Sequence, residues 1–294
     1  MKKLSQYSIT DFLCLKPLRA LIKELRNDLF LAFYKRLKAK GEDEFIKQNF
    51  SKNKKILIII AFEQDKVLNW LLALSAINLK DFQLMVFDNS RNPQARSKIR
   101  QTCFQFQIPY LGLPFNGTRH PNRSHGMAMT WVFHRIIKKI EPSWFGYLDH
   151  DMLPVKSVQI SNCIPQGQNT YGFLNDAPDY WNLWAGYCFY NYSNVSHLPL
   201  NFLYDFSREL DTGGRNWPYL YAHQNKDDVK HATSINRSVF VPPDQTRTVQ
   251  LIDDAWIHVG GVSYNNNLQP KEYFFEQLVN TLLSGIPFDS LHKD

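Results

Sequence analysis

"NKKILIIIAF", residues 53–62, decides how the chain is read. From Ile56 to Phe62 it is an unbroken, mainly β-branched apolar run. A strand with one wet face alternates apolar and polar residues. A strand covered on both faces does not, and such strands belong to parallel sheets under helices. "EQDKVLNWLLALSAINLK" follows as a helix, with Asp65 as N-cap and Val67, Leu68, Leu71, Leu72 and Leu74 along its apolar side. "FQLMVFDNS" is a second buried strand, and "RNPQARSKIRQTCFQF" a second helix capped by Asn92 with Pro93 at its first position. A short strand in "IPYLGLP", a helix starting near Ser124 in "NRSHGMAMTWVFHRIIKKI" and a fourth strand, "WFGYLDH", come next. Strands alternating with helices predict an α/β fold, an open, mostly parallel sheet flanked by helices.

Beyond Pro154 the pattern changes to short aromatic strands and long loops, with no internal repeat and no Gly/Ser/Pro-rich linker. Residues 54–294 are therefore expected to form one domain with two halves, 54–154 and 155–294. Before it, residues 1–53 read as a basic helical arm. Leu18, Leu21, Ile22, Leu25, Leu29, Phe33 and Leu37 fall on one face of a helix from Pro17 to Ala39, interspersed with Lys16, Arg19, Lys23, Arg26, Lys35, Arg36, Lys38 and Lys40. Such a helix either packs its apolar face on the domain or lies on an anionic membrane over residues 16–40.

The 294 residues, 44% of them hydrophobic, suffice for a large core and exclude a disordered chain. No apolar window approaches the length of a membrane span, and the N-terminus is charged where a secretory signal would be apolar. The expected location is cytoplasmic, or peripheral on the inner face of a membrane. Cys14, Cys103, Cys163 and Cys188 lie far apart and form no C-x-x-C pair, so neither a zinc ribbon nor a disulfide framework is expected. Residues 1–55 carry 14 Lys/Arg against 6 Asp/Glu, so the arm accounts for the whole net charge of +7. A nucleic-acid enzyme would more often spread basic residues around its groove, so no nucleic-acid partner is expected.

In open α/β sheets, ligands gather outside the carboxyl ends of the strands. Here those ends carry Ala61, Phe62 and Glu63, then Asp88, Asn89 and Ser90, then Asp149, His150 and Asp151. Neither G-x-G-x-x-G nor G-x-x-x-x-G-K-[ST] is present, so phosphate is not cradled by glycines. A hard divalent cation, Mn²⁺ or Mg²⁺, held by one or two carboxylates is the alternative. Asp149 and Asp151 are two apart, so in an extended segment both side chains share one side, with His150 on the other. In "NDAPDYWNLWAGYCFYNYS", Trp181, Trp184, Tyr187 and Tyr190 are either sugar-facing platforms or core rings.

The succession "ILIIIAF", "LMVFDNS", "NRSHGMAMTW", "YLDHDMLP" and "WIHVGG" resembles glycosyltransferases of the GT-A fold, in particular the large family typified by bacterial polysaccharide and lipopolysaccharide transferases. The resemblance covers roughly residues 54–265. It implies a nucleotide-sugar-binding first half and an acceptor-binding second half. Ala61, Phe62, Glu63, Asp88, Asn89 and Ser90 would hold the base and ribose of a UDP- or GDP-sugar. Asp149 and Asp151, with His150 between them, would bind the metal and the donor diphosphate, and His258 would be a further metal ligand. The helix start that lies beside the donor corresponds to Asn122, Arg123, Ser124, Gly126, Ala128 and Thr130, with Ser124 and Thr130 departing from the family's glycine and asparagine.

Asp211 in "RELDTGGRNW" matches the catalytic base, with Asp176, Asp179, Asp253 and Asp254 as competitors and a turn aspartate as the plain alternative. Trp181, Trp184 and Gly186 would meet a glycan or lipid-linked acceptor. The implied activity is metal-dependent transfer of a sugar from a nucleoside diphosphate to a hydroxyl, by inversion, as in hexosyltransferases of polysaccharide biosynthesis. Two alternatives stay open: a catalytically idle carbohydrate-binding or scaffold protein, and a sugar-nucleotidyltransferase, whose glycine-rich basic loop is missing here.

Overall fold

The computed structural model describes residues 4–243, 245–262 and 268–291. Strand β1 (Lys55–Ala61) lies inside a six-stranded sheet of order β3-β2-β1-β4-β7-β6. β2 (Gln83–Asp88), β3 (Tyr110–Gly112) and β4 (Trp144–Leu148) run parallel with it. β7 (Tyr180–Asn191) is antiparallel to β4, and β6 (Thr170–Ala177) is antiparallel to β7. The fold is thus α/β with a mixed, mostly parallel sheet between helices, as the apolar runs predict. The β1 run is split by strand alternation: Leu57, Ile59 and Ala61 enter one core layer, and Ile56, Ile58 and Ile60 the other.

β5 (Met152–Pro154), β8 (Ser234–Val241), β9 (Gln245–Ile252) and β10 (Trp256–His258) form a second, antiparallel sheet of order β5-β10-β9-β8. Pro154 sits on its edge strand, where its missing N–H costs no ladder bond. Since β5 follows β4 almost at once, the short turn between them joins the two sheets.

Helices α1 (Ile9–Leu13), α2 (Lys16–Arg36) and α3 (Glu42–Asn49) form the arm; α4 (Asp65–Asn78), α5 (Pro93–Gln105) and α6 (Pro121–Val132) cover the first sheet. Asn92 caps α5 as expected, its side chain accepting from Gln94 N. Two starts differ from expectation. Asp65 is the first helical residue after Gln64, and α6 begins at Pro121, where His120 accepts from Arg123 N through its ring. Proline's fixed φ suits a first helical turn, which moves the start ahead of Ser124.

The arm docks mainly by a face outside the hydrophobic stripe, of which Leu37 packs against the second core layer. Leu31, Tyr34, Ala39 and Phe45 join the second core layer, Tyr34 donates to Pro114 O, and Trp131 donates its indole N–H to Leu37 O. Buried Glu42 accepts from Arg135 and Lys139. Leu18, Ile22, Leu25, Leu29 and Phe33 remain open to solvent, Leu29 at 72% and Phe33 at 66% exposure. Of the two readings of this helix, packing of that apolar stripe on the domain is therefore corrected. No helix among the described residues is long and apolar enough to cross a membrane.

Candidate metal cleft

The turn after β4 carries the cleft. Met152 N donates to Asp149 O, so Asp149 and Asp151 lie in a tight turn and not in the extended segment expected from their spacing. Two further backbone bonds hold the turn in place: Asp149 N donates to Gly186 O, and Val259 N to Asp151 O. β10 pairs with β5 so that His258 stands opposite Met152. Carboxylate oxygens of Asp149 and Asp151 and a ring nitrogen of His258 therefore lie within 4.8 Å of one another. Gln250, facing His258 across β9 and β10, stands 3.4 Å from its Nδ1 and orients the ring.

Burial, and next the charge of Asp151, push the Asp149 carboxyl well above the usual carboxylate range. Two carboxylates held together, with no Lys or Arg within 4.0 Å among the described residues, are short of positive charge. Two oxygens and one imidazole fit a divalent cation of the Mn²⁺ or Mg²⁺ kind, which also takes substrate oxygens and water.

The cleft around this cluster has a volume of about 200 Å³ and also exposes Phe62, Asn122, His125, Trp184 and Asp211. Asn122 Nδ2 donates to Asp211 Oδ1 at 2.7 Å, linking α6 to the loop that bears the expected base. Gly213, at φ +91, lets that loop turn, and its N–H donates to Phe202 O. The competing aspartates are engaged elsewhere: Asp176 pairs with Lys226, Asp254 with Lys156, and Asp253 accepts from Tyr171 and Tyr187. Asp179 lines a separate hollow beside Asp176.

Of the residues expected at the base and ribose, Phe62 lines the cleft and Asn89 lines an adjoining hollow of about 180 Å³ with Arg91, Arg119 and His125. Asp88 does not reach either space. It is fully buried, accepting from Ser90 N and Tyr110 OH, with Arg96 Nε at 3.7 Å. Glu63 accepts from Arg91 N and Asn92 N, and Ser90 Oγ accepts from Glu63 N, so both tie the ends of β1 and β2 together. Ala61 is buried in the first core layer. A buried polar group without water must take its hydrogen bonds from protein, which explains these inward commitments.

Along α6, Gly126 permits close packing: a Cβ there would meet Phe202 O at 2.4 Å. Ser124 Oγ accepts from Asn89 and Asn116, and Thr130 Oγ1 accepts from Phe202 N. Buried Arg123 turns from the cleft toward Thr118 and Tyr204. Gly186 likewise makes room, since a Cβ would stand 2.6 Å from Asp149 Oδ2 and 2.3 Å from the Trp184 ring.

Trp184 is half-buried with its ring centroid 4.8 Å from that of His258, whereas Trp181 packs on Tyr221 and His231 in the core. Tyr187 and Tyr190 are also fully buried. His150 lines the cleft but stands outside the three-residue cluster, and burial lowers its pKa.

His125 was missed by sequence reasoning. Its Nε2 lies 3.7 Å from Asp149 Oδ1, and burial pushes its pKa down to about 4, so it is neutral near pH 7. The signal was available: His125 is one helical turn from Asn122, on the same face of α6.

A cluster of two carboxylates and an imidazole at a strand end, sharing a cleft with a third carboxylate, Asp211, is an arrangement that could hold a metal ion. No family model matches the chain, and no curated protein matches it. Similar solved structures include the mannosyltransferase PcManGT from Pyrobaculum calidifontis in complex with GDP-Man and Mn²⁺, at 8% identity over 61% of this chain and 57% of that one, TM-score 0.37. Another is the bifunctional glycosyltransferase WbbM, at 7% identity over 48% and 32%, TM-score 0.33. A third is glucosyl-3-phosphoglycerate synthase from Mycobacterium tuberculosis with Mn²⁺ and UDP-glucose, at 11% identity over 47% and 49%, TM-score 0.30. The chain spans between about a third and somewhat over half of their lengths. At these scores the chemistry rests on the chain's own cleft.

Proposed function

We propose that the protein is a metal-dependent glycosyltransferase that moves a hexose from a nucleoside-diphosphate donor to a hydroxyl of a glycan or lipid-linked acceptor. The observation that carries this reading is the grouping of Asp149, Asp151 and His258 within 4.8 Å in a cleft that also holds Asp211. A bound Mn²⁺ or Mg²⁺ would supply charge stabilisation to the departing diphosphate. In the reaction the acceptor oxygen attacks the anomeric carbon, the bond from that carbon to the diphosphate oxygen breaks, and the acceptor proton passes to Asp211. A base on the far side of the sugar from the leaving group gives inversion. Asn122 aims the Asp211 carboxylate, and Trp184 offers a flat apolar face to a sugar ring. Phe62 and the hollow with Asn89, Arg91 and Arg119 suit a nucleoside and its first phosphate.

Calorimetric titration with UDP- and GDP-sugars tests the reading: binding should require Mn²⁺, vanish in EDTA and vanish in Asp151→Ala. Nucleotide binding under no metal condition would leave the idle carbohydrate-binding protein as the better account. The open stripe on α2, flanked by Lys and Arg, supports peripheral contact with an anionic membrane. Replacing Leu25, Leu29 and Phe33 by Gln should abolish pelleting with anionic liposomes, and unchanged pelleting would refute that contact.

A further inference from the structure

A second cavity, of about 700 Å³, lies between the arm and the loop 204–211. It adjoins the cleft directly, because Asn122 and Asp211 line both spaces. On α2 the residues that line it, Lys16, Arg19, Ala20 and Lys23, recur at helical spacing on a face roughly opposite the solvent-exposed stripe. The arm thus closes one wall of this cavity while presenting the stripe outward.

The cavity's lining mixes charged side chains with apolar ones such as Ala20, Phe206 and Leu210. Asp211 lines it where it meets the cleft, and Glu209 lines it as well. Lys23, His120 and Tyr204 line it too, the His120 and Tyr204 rings 5.4 Å apart, with Arg123 bonded to Tyr204. Arg123 is buried, its Nε has no hydrogen-bond partner, and no carboxylate lies within 4.0 Å of it or of Arg19, Lys23 or Arg26 among the described residues. The remaining carboxylates in the wall are occupied, Asp11 by Lys16 at 2.6 Å and Asp205 by Arg208. The charges facing His120 are mixed: burial, then Arg123, Arg26 and Lys23, lower its pKa, and Asp211 raises it. A buried guanidinium without a counter-ion is costly and calls for an anion.

We propose that this cavity is the acceptor site and that its basic cluster around Lys23 and His120 holds an oxyanion, a phosphate or carboxylate, carried by the acceptor. The acceptor lies with its reacting hydroxyl at Asp211 and its anionic group at Lys23, Tyr204 and His120, in front of Arg123. This assignment rests on the transferase reading and adds to it the class of acceptor and the role of the arm.

The test uses the full chain in EDTA, so that the metal cleft takes no part, titrated with mannose 6-phosphate, glucuronate and uncharged methyl mannoside. The anionic sugars should bind in the millimolar range, weaken with added salt, and weaken at least tenfold in the double variant Arg19→Gln/Lys23→Gln, whose changes lie at or near the surface. Binding of only one of the two anions identifies it as phosphate or carboxylate. Equal binding of the uncharged sugar, no binding of either anion, or full binding by the variant would overturn the proposal. Metal-dependent nucleotide binding measured on the same preparation keeps its failure apart from failure of the transferase reading.

Discussion

Gly186→Ala is a small change with a worked consequence. The added Cβ would stand 2.6 Å from Asp149 Oδ2 and 2.3 and 2.5 Å from two atoms of the Trp184 ring. Trp184 cannot swing freely, because its ring is packed against His258 and Phe173. Restoring ordinary contact moves Asp149 Oδ2 from 2.6 Å to 3.4 Å from the new methyl. That displacement is several times the roughly 0.2 Å that a metal–ligand distance tolerates. Overpacking of this kind costs about 1–3 kcal/mol, which at roughly 2 °C per kcal/mol for a chain of this size lowers Tm by about 2–6 °C. Mn²⁺ affinity, read by calorimetry, should fall about 10- to 100-fold because one of three ligands is misaimed. A variant that binds Mn²⁺ within twofold of wild type would refute the claim that Gly186 exists to seat Asp149.

Acidification should weaken metal binding. The Asp149 carboxyl is held above its ordinary range by burial and Asp151, so protons compete with Mn²⁺ by up to about tenfold per pH unit below the raised value. A raised folded-state pKa also means that the metal-free protein gains stability from this group at low pH and loses it as pH rises through that value; Asp149→Asn should flatten the effect, and equal Mn²⁺ affinity at about pH 8 and 5 would contradict it. Glu42→Gln leaves Arg135 and Lys139 without their buried carboxylate and should lower stability by about 3 kcal/mol in denaturant unfolding with Mn²⁺ affinity unchanged; a loss below about 1 kcal/mol would show that the arm is not pinned there. Asp211→Asn should cut kcat by about 10²–10⁴ while donor and metal affinities hold, and an unchanged kcat would remove Asp211 as base.

What the sequence conveyed depended on how local the signal was. The β1 run and the strand–helix alternation were readable because a doubly covered strand leaves no polar alternation. The pair Asp149 and Asp151 was readable as a motif at a strand end, though not as a turn, since its Met152 N–Asp149 O bond is held in place by distant partners, Gly186 and Val259. Asp88 was expected at a ligand because its commitment to Tyr110 and Arg96 is tertiary. The second sheet was hidden: β5 and β10 have three residues each, too few for a period, and β8 is largely solvent-facing. The amphipathic face of α2 was visible, but which face docks depends on where Leu31 and Tyr34 meet the core.

The most direct test of the whole account is electron paramagnetic resonance of Mn²⁺ titrated into the purified chain. One equivalent should be bound by the wild type and by Asp211→Asn, and the bound signal should be lost in Asp151→Ala and in His258→Ala. Undiminished Mn²⁺ binding by Asp151→Ala would contradict the account at its centre.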